Sequence, residues 1–154
     1  MNMLPVPGLV GAFDVEADLG PLEDHGMTRA GHRRIVPVTG GRVRGELEGE
    51  ILPGGADWQI VRADGAIDVD ARYSVRTPQG HYVFIRARGI RTGPAGVLEA
   101  LLRGDDVDPA AYYFRTALTI ETGAAELAHL QHALFIAAAA RAARRVRYRA
   151  YRVS

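Results

Sequence analysis

Two polar runs carry most of the chemistry available to this chain. In the first, Ile51-Leu-Pro-Gly-Gly-Ala-Asp-Trp-Gln59, a Gly-rich turn delivers Asp57, the only tryptophan (Trp58) and Gln59 side by side. In the second, Asp70-Ala-Arg-Tyr73, a carboxylate, a guanidinium and a phenol stand within four positions. Polar groups mounted on turns above a rigid strand scaffold are a common way to build a small-molecule site. Proton transfer needs a group poised near the working pH, and burial beside an aromatic raises a carboxylate toward it. Asp57 is therefore read as a proton carrier, with Asp70 or Tyr73 as its counterpart. The bland alternative for Asp57 is satisfaction of turn amides after Gly54-Gly55, which Asp commonly provides.

Other groups can complete such a site. Arg88, Arg91 and Arg115 are planar donor forks suited to a carboxylate or an enolate oxygen, with the nearby carboxylates as their competing partners. Arg88 and Arg115 are expected to steady developing negative charge. Trp58, Tyr82 and Tyr112 are expected to hold an aromatic ring, and Glu121 and His132 to offer further hydrogen bonds to a substrate. Glu126, His129 and His132 fall at i, i+3 and i+6. That spacing resembles a metal site but lacks the two histidines at i and i+4 found in zincins, so no metal is expected.

The inventory excludes several classes. All 19 basic residues are arginine. Without lysine there is no Schiff base to pyridoxal phosphate and no P-loop lysine. There is no cysteine, hence no disulfide and no thiol nucleophile, which is compatible with a reducing cytoplasm. The only serines are Ser74 and Ser154, and no Gly-x-Ser-x-Gly elbow is present. Net charge is +1, which supplies no overall field toward nucleic acid or membrane. The first residues lack the basic and apolar regions of a secretion signal, and no apolar run is long enough to span a bilayer. Arginines from Arg141 to Arg152 alternate with Tyr148 and Tyr151, a mixture that RNA-binding barrels use, but pairing with an acidic strand explains it more simply.

The elements that must position these residues are mostly strands. A chain of 154 residues is one domain by length. Residues 9–18 read as a strand, 20–32 as a loop, and 33–38 as a short strand closed by Thr39-Gly40-Gly41. From Val43 to Ile51 apolar and charged residues alternate strictly, the mark of a half-buried strand. Further strands are expected at 58–62, 66–77, 81–91, 112–121 and 146–153, with a hairpin signal at Ala63-Asp64-Gly65. Within 66–77 the apolar set is Ile67, Val69, Ala71, Tyr73 and Val75. If that face meets the core, Asp70 and Arg72 point outward unless the interior is polar or a bulge intervenes. Pro94 and Gly104 bracket one helix. Residues 124–143 hold ten alanines and helical leucine spacing. Propensity there argues helix, while Ala133 to Ala139 also fits a strand buried on both faces. Many short strands, one helix and no βαβ alternation indicate an all-β fold: a closed or nearly closed antiparallel β-barrel of about 8–10 strands.

These motifs resemble the family filed as domain of unknown function 3237, also called uncharacterised protein family 0311. The resemblance runs from Gly40 to Val153. It rests on Gly40-Gly41, the 51–59 and 70–73 runs, Arg88-Gly-Ile-Arg91 with Gly93-Pro94, Tyr112-Tyr-Phe-Arg-Thr116 and Glu121-Thr-Gly123. It implies a small β-barrel with an internal pocket, as a homodimer, and cofactor-free ring closure or isomerisation in natural-product pathways. The sequence departs from the pattern after Gly123, where His129 and Gln131 replace a Trp and an Asn. The departure shifts residues 133–140 from helix to strand.

The expectation is thus a cytoplasmic, cofactor-independent cyclase, isomerase or lyase. Its substrate would be a small aromatic or polyketide-like molecule held in the barrel, with neither nucleic acid nor membrane as partner. The alternatives are a non-catalytic small-molecule-binding barrel, whose carboxylates would be neutralised by arginine, and a structural dimerisation module without a cavity.

Overall fold

A computed structural model describes residues 1–154. Ten strands make one antiparallel sheet that closes on itself. They are β1 (Leu9–Leu19), β2 (Glu23–Thr28), β3 (Gly31–Gly45), β4 (Gly49–Ile51), β5 (Gly55–Val61), β6 (Ile67–Arg76), β7 (Tyr82–Thr92), β8 (Tyr113–Thr122), β9 (Phe135–Arg141) and β10 (Arg145–Val153). Around the wall the order is β1, β10, β9, β8, β7, β6, then β4 and β5 together, then β3, which pairs back to β1. β4 and β5 share one position between β3 and β6, and β2 hangs outside as a hairpin with β3, so the barrel has eight strands.

Alternation decides what faces inward. On β6, Ile67, Val69, Tyr73 and Val75 are buried, and on β8 Phe114, Thr116, Leu118 and Ile120 are buried between exposed neighbours. At one end Leu47, Leu130 and Phe135 are almost inaccessible and fill the interior. Burying a side chain the size of Leu or Phe contributes about 1.5–3 kcal/mol. At the other end β1, β7 and β9 finish, and helix α1 (Ala95–Arg103) lies beside them with Leu98 and Leu101 buried. Gly104 ends α1 in the left-handed region, φ 83°, and its N–H bonds back to the last turn.

Several elements differ from the sequence expectation. Residues 20–32 contain β2, whose exposed residues carry no apolar period and which is held by pairing with β3. Thr39-Gly40-Gly41 does not end a strand, because β3 runs through it. Gly41 has φ 131°, and a Cβ there would stand 2.1 Å from the Glu16 carbonyl oxygen, so the glycine bends β3 against β1 without interrupting it. The alternating run 43–51 is split, as β3 stops at Gly45 and β4 starts at Gly49. Residues 125–132 form a 3₁₀ segment, and the alanine-rich 135–141 is strand β9. Small alanines let β9 pack inward while both of its edges pair, a tertiary reward that outweighs helix propensity.

Candidate functional site

β5 brings the first polar run to the interior through a glycine. A Cβ on Gly55 would lie 2.3 Å from the Arg72 carbonyl oxygen, so only glycine lets β5 approach β6 there. Pairing between the two strands holds at Ala56 and Asp57 and resumes at Ile60, with a gap at Trp58 and Gln59. At that gap the Asp70 amide donates to Asp57 Oδ1 at 3.0 Å, while Gln59 Nε2 donates to Oδ2 at 2.8 Å. Asp57 thus enters the barrel while its neighbour Trp58 lies on the outer wall, 5.5 Å from the Arg72 guanidinium.

The Asp57 side chain borders a chamber of about 40 Å³ shared with Tyr73, Phe114, Thr116, Arg141 and Tyr148. Desolvation pushes the Asp57 carboxyl above the ordinary carboxylate range. Its two hydrogen bonds and the charges of Arg91 and Arg141 pull it back only in part. Tyr73 and Tyr148 bond to each other through their hydroxyls across the chamber. Burial raises both phenols, so they stay protonated as donors. The Thr116 hydroxyl is buried without a partner.

Above the chamber is a larger mouth of about 570 Å³ at the end where β1, β7 and β9 finish; Leu19 and Arg141 line both spaces. Arg34 from β3, Arg91 from β7 and Arg141 from β9 converge there with Gln59. Arg91 is only 4% exposed. Burial, together with repulsion from Arg141 and Arg34, pulls its guanidinium down to about 10. Arg34 and Arg141 are lowered as well, desolvation being the main cause. The Nε atoms of Arg34 and Arg91 and the Oε1 of Gln59 are buried with no hydrogen-bond partner. Tyr112, buried beside them, accepts the Arg141 amide at 3.0 Å.

The structure does not gather all the residues singled out from sequence. Asp57 and Tyr73 share the chamber, and Tyr112 backs the mouth. Asp70 lies on the opposite side of the wall, where its carboxylate meets Arg72 at 2.9 Å and Arg86 at 3.1 Å. Desolvation would raise it, but these two arginines outweigh that and hold it at about 2. Asp70 therefore serves Asp57 through its backbone N–H and not as a second acid, since a register of two sends its side chain outward. Arg88, Arg115, Tyr82, Glu121 and His132 are exposed on the barrel exterior. Arg115 bonds to the Phe114 carbonyl and stacks over Tyr113. Glu126 meets His81 at 2.9 Å, away from His129 and His132. Sequence reasoning named Arg91 among anion ligands but gave Arg34, Arg141, Thr116 and Tyr148 no such role. A strand-terminal arginine after a buried run, as at Arg141, was the available signal.

Comparison with known proteins agrees with the architecture. The family described as protein of unknown function (DUF3237) matches residues 7–153. A UPF0311 protein of Bradyrhizobium diazoefficiens is 41% identical over 144 residues, covering 94% of this chain and 95% of that protein. The crystal structure of a conserved protein of unknown function from Rhodopseudomonas palustris superposes with a TM-score of 0.91 at 38% identity, covering 99% of this chain and all of that one. An enzyme from Penicillium herquei shares the fold at a TM-score of 0.73 and 17% identity, each chain fully covered. By sequence and by fold, this chain belongs to the DUF3237 family of β-barrel proteins.

Proposed function

We propose that this barrel is a cofactor-independent acid–base enzyme, a cyclase, isomerase or lyase, acting on a small aromatic or polyketide-like molecule. Asp57 is its proton carrier. The carrying observation is that Asp57 is desolvated yet bonded to no guanidinium: its partners are one amide N–H and the Gln59 amide. A carboxylate kept for structure is paired like Asp70; one kept for proton transfer sits unpaired with its pKa raised.

The chamber takes only a reacting edge, so the body of the substrate occupies the mouth. In an isomerisation the ionised Asp57 removes a proton from an acidic C–H. The electron pair of that bond delocalises onto a conjugated oxygen, and protonated Asp57 returns the proton to another atom. One of the Tyr73–Tyr148 hydroxyls donates to the other, which leaves the second O–H free to donate below, and Gln59 orients the carboxyl. The mostly apolar lining of the chamber resists water, which keeps the pKa raised.

A non-catalytic ligand-binding barrel is the second reading, favoured by the charges of Arg91 and Arg141 that act on Asp57. The two separate on Asp57→Asn. Loss of turnover by a factor of about 10² or more supports proton transfer; turnover equal to wild type defeats it. The same proposal takes the protein as a cytoplasmic homodimer, with exposed Phe84 and Ile136 on the outer wall available for burial. A monomeric mass by light scattering defeats that element.

A further inference from the structure

The mouth holds more positive charge than the fold needs. Seven arginines elsewhere are in ion pairs: Arg62 with Asp68, Arg72 and Arg86 with Asp70, Arg103 with Asp105, Arg145 with Glu16 and Asp18, Arg149 with Asp14, Arg152 with Glu46. The other arginines outside the cluster are exposed to solvent, save Arg33, which donates to the Gln59 carbonyl. Arg34, Arg91 and Arg141 take part in none of these pairs. They converge from three strands onto one space, and two of them keep a buried Nε without a partner. A buried donor left unsatisfied destabilises the fold, and a desolvated charge costs more. Guanidiniums that also repel one another, as these do, are retained at such expense where an anion completes them. Asp57 acts on all three, and Asp24, itself bonded to His32, acts on Arg34 alone, so three guanidiniums face two carboxylates, and Arg144 adds positive charge to the same lining.

The neighbours of the cluster define the rest of the ligand. Leu19, Leu22, Val36 and Leu101 line the same mouth. A small, strongly hydrated anion gains nothing from that surface, whereas an amphiphilic organic anion buries its carbon skeleton against it. Planar forks suit two coplanar oxygens.

We infer that the substrate is an organic anion, a carboxylate or vinylogous acid on a flat apolar skeleton, whose oxygens are held by Arg34, Arg91 and Arg141 at the barrel mouth. This rests on the reading of the barrel as an acid–base enzyme and extends it. The anionic end anchors above, and the carbon or hydroxyl bearing the mobile proton extends down to Asp57. Placing guanidiniums over the conjugated oxygens also stabilises the charge that grows there when Asp57 takes the proton.

The test uses the whole protein and three probes in calorimetric titrations at neutral pH: 2-naphthoate, its neutral isostere 2-naphthamide, and inorganic phosphate. The expected result is naphthoate binding at least about tenfold tighter than the amide, since charged hydrogen bonds outweigh neutral ones. Arg91→Gln and, separately, the more accessible Arg141→Gln should each weaken naphthoate about tenfold while leaving the amide unchanged. Asp57→Asn should tighten naphthoate, because it removes the one carboxylate that acts on all three guanidiniums. The inference is overturned if naphthoate at millimolar concentration gives no heat, if the amide binds equally well, if phosphate binds more tightly than naphthoate, or if a folded Arg141→Gln protein binds naphthoate as wild type does. Arginine-dependent naphthoate binding together with unchanged turnover in Asp57→Asn would uphold the anion site and sink only the proton-transfer role.

Discussion

Asp57→Asn is the most informative single perturbation, because burial of the carboxylate predicts an effect on stability opposite to that of most substitutions. Asparagine keeps the shape of the side chain. Its Oδ1 still accepts the Asp70 amide, and its Nδ2 can donate to Gln59 Oε1, which is buried and unpartnered, once the Gln59 amide turns over. What disappears is the charge. The folded state raises the Asp57 pKa through desolvation, so it binds the proton more tightly than the unfolded chain. That preference stabilises the fold fully below the unfolded pKa, and the contribution is lost as pH rises through the folded value. Each unit of separation between the two amounts to about 1.4 kcal/mol. For a domain of this size 1 kcal/mol moves the melting temperature by about 2–4 °C. Thermal melts of wild type and Asp57→Asn, followed by circular dichroism from pH 4 to pH 8, should therefore diverge as pH rises. The variant should melt within a degree or two of wild type at pH 4 and clearly higher at pH 8, at about 3–5 °C per unit of raised pKa. A variant that melts lower at pH 8, or whose difference from wild type is independent of pH, refutes the claim that this carboxylate is desolvated.

Three further outcomes follow from the same geometry. Gly55→Ala places a methyl 2.3 Å from the Arg72 carbonyl; the overpacking should cost about 1–3 kcal/mol in urea unfolding, and no loss means that β5 relaxes freely. Tyr148→Phe leaves the buried Tyr73 hydroxyl alone, at about 1–3 kcal/mol, and the Tyr73→Phe/Tyr148→Phe double variant should be less than additive by chemical denaturation. Asp70→Asn should leave turnover and ligand binding unchanged. Its carboxyl is held at about 2 by Arg72 and Arg86, so its contribution is present above the unfolded pKa and fades as pH falls through the folded one. The stability lost at neutral pH should be about 1 kcal/mol, as for partly solvated pairs.

The two aspartates illustrate why sequence spacing underdetermines a site. Asp57 and Asp70 fall in adjacent strands and share one hydrogen bond, yet the wall of the barrel separates their side chains. Period-two alternation already sent Asp70 outward when read by itself. The attraction of two paired polar motifs argued otherwise, and the alternation prevailed.

Local rules in the sequence sufficed for the barrel class, the helix bracketed by Pro94 and Gly104 and the inward face of β6. Each depends on interactions between residues close in the chain: backbone conformation, alternation and capping. Family resemblance, rather than propensity, directed the alanine-rich run toward the strand that β9 proves to be. The cationic mouth needed the closed barrel. Arg34, Arg91 and Arg141 are dozens of residues apart on three strands, and only closure of the sheet brings them to one rim. Their charge matters there because the protein around them has displaced the water that would otherwise screen it.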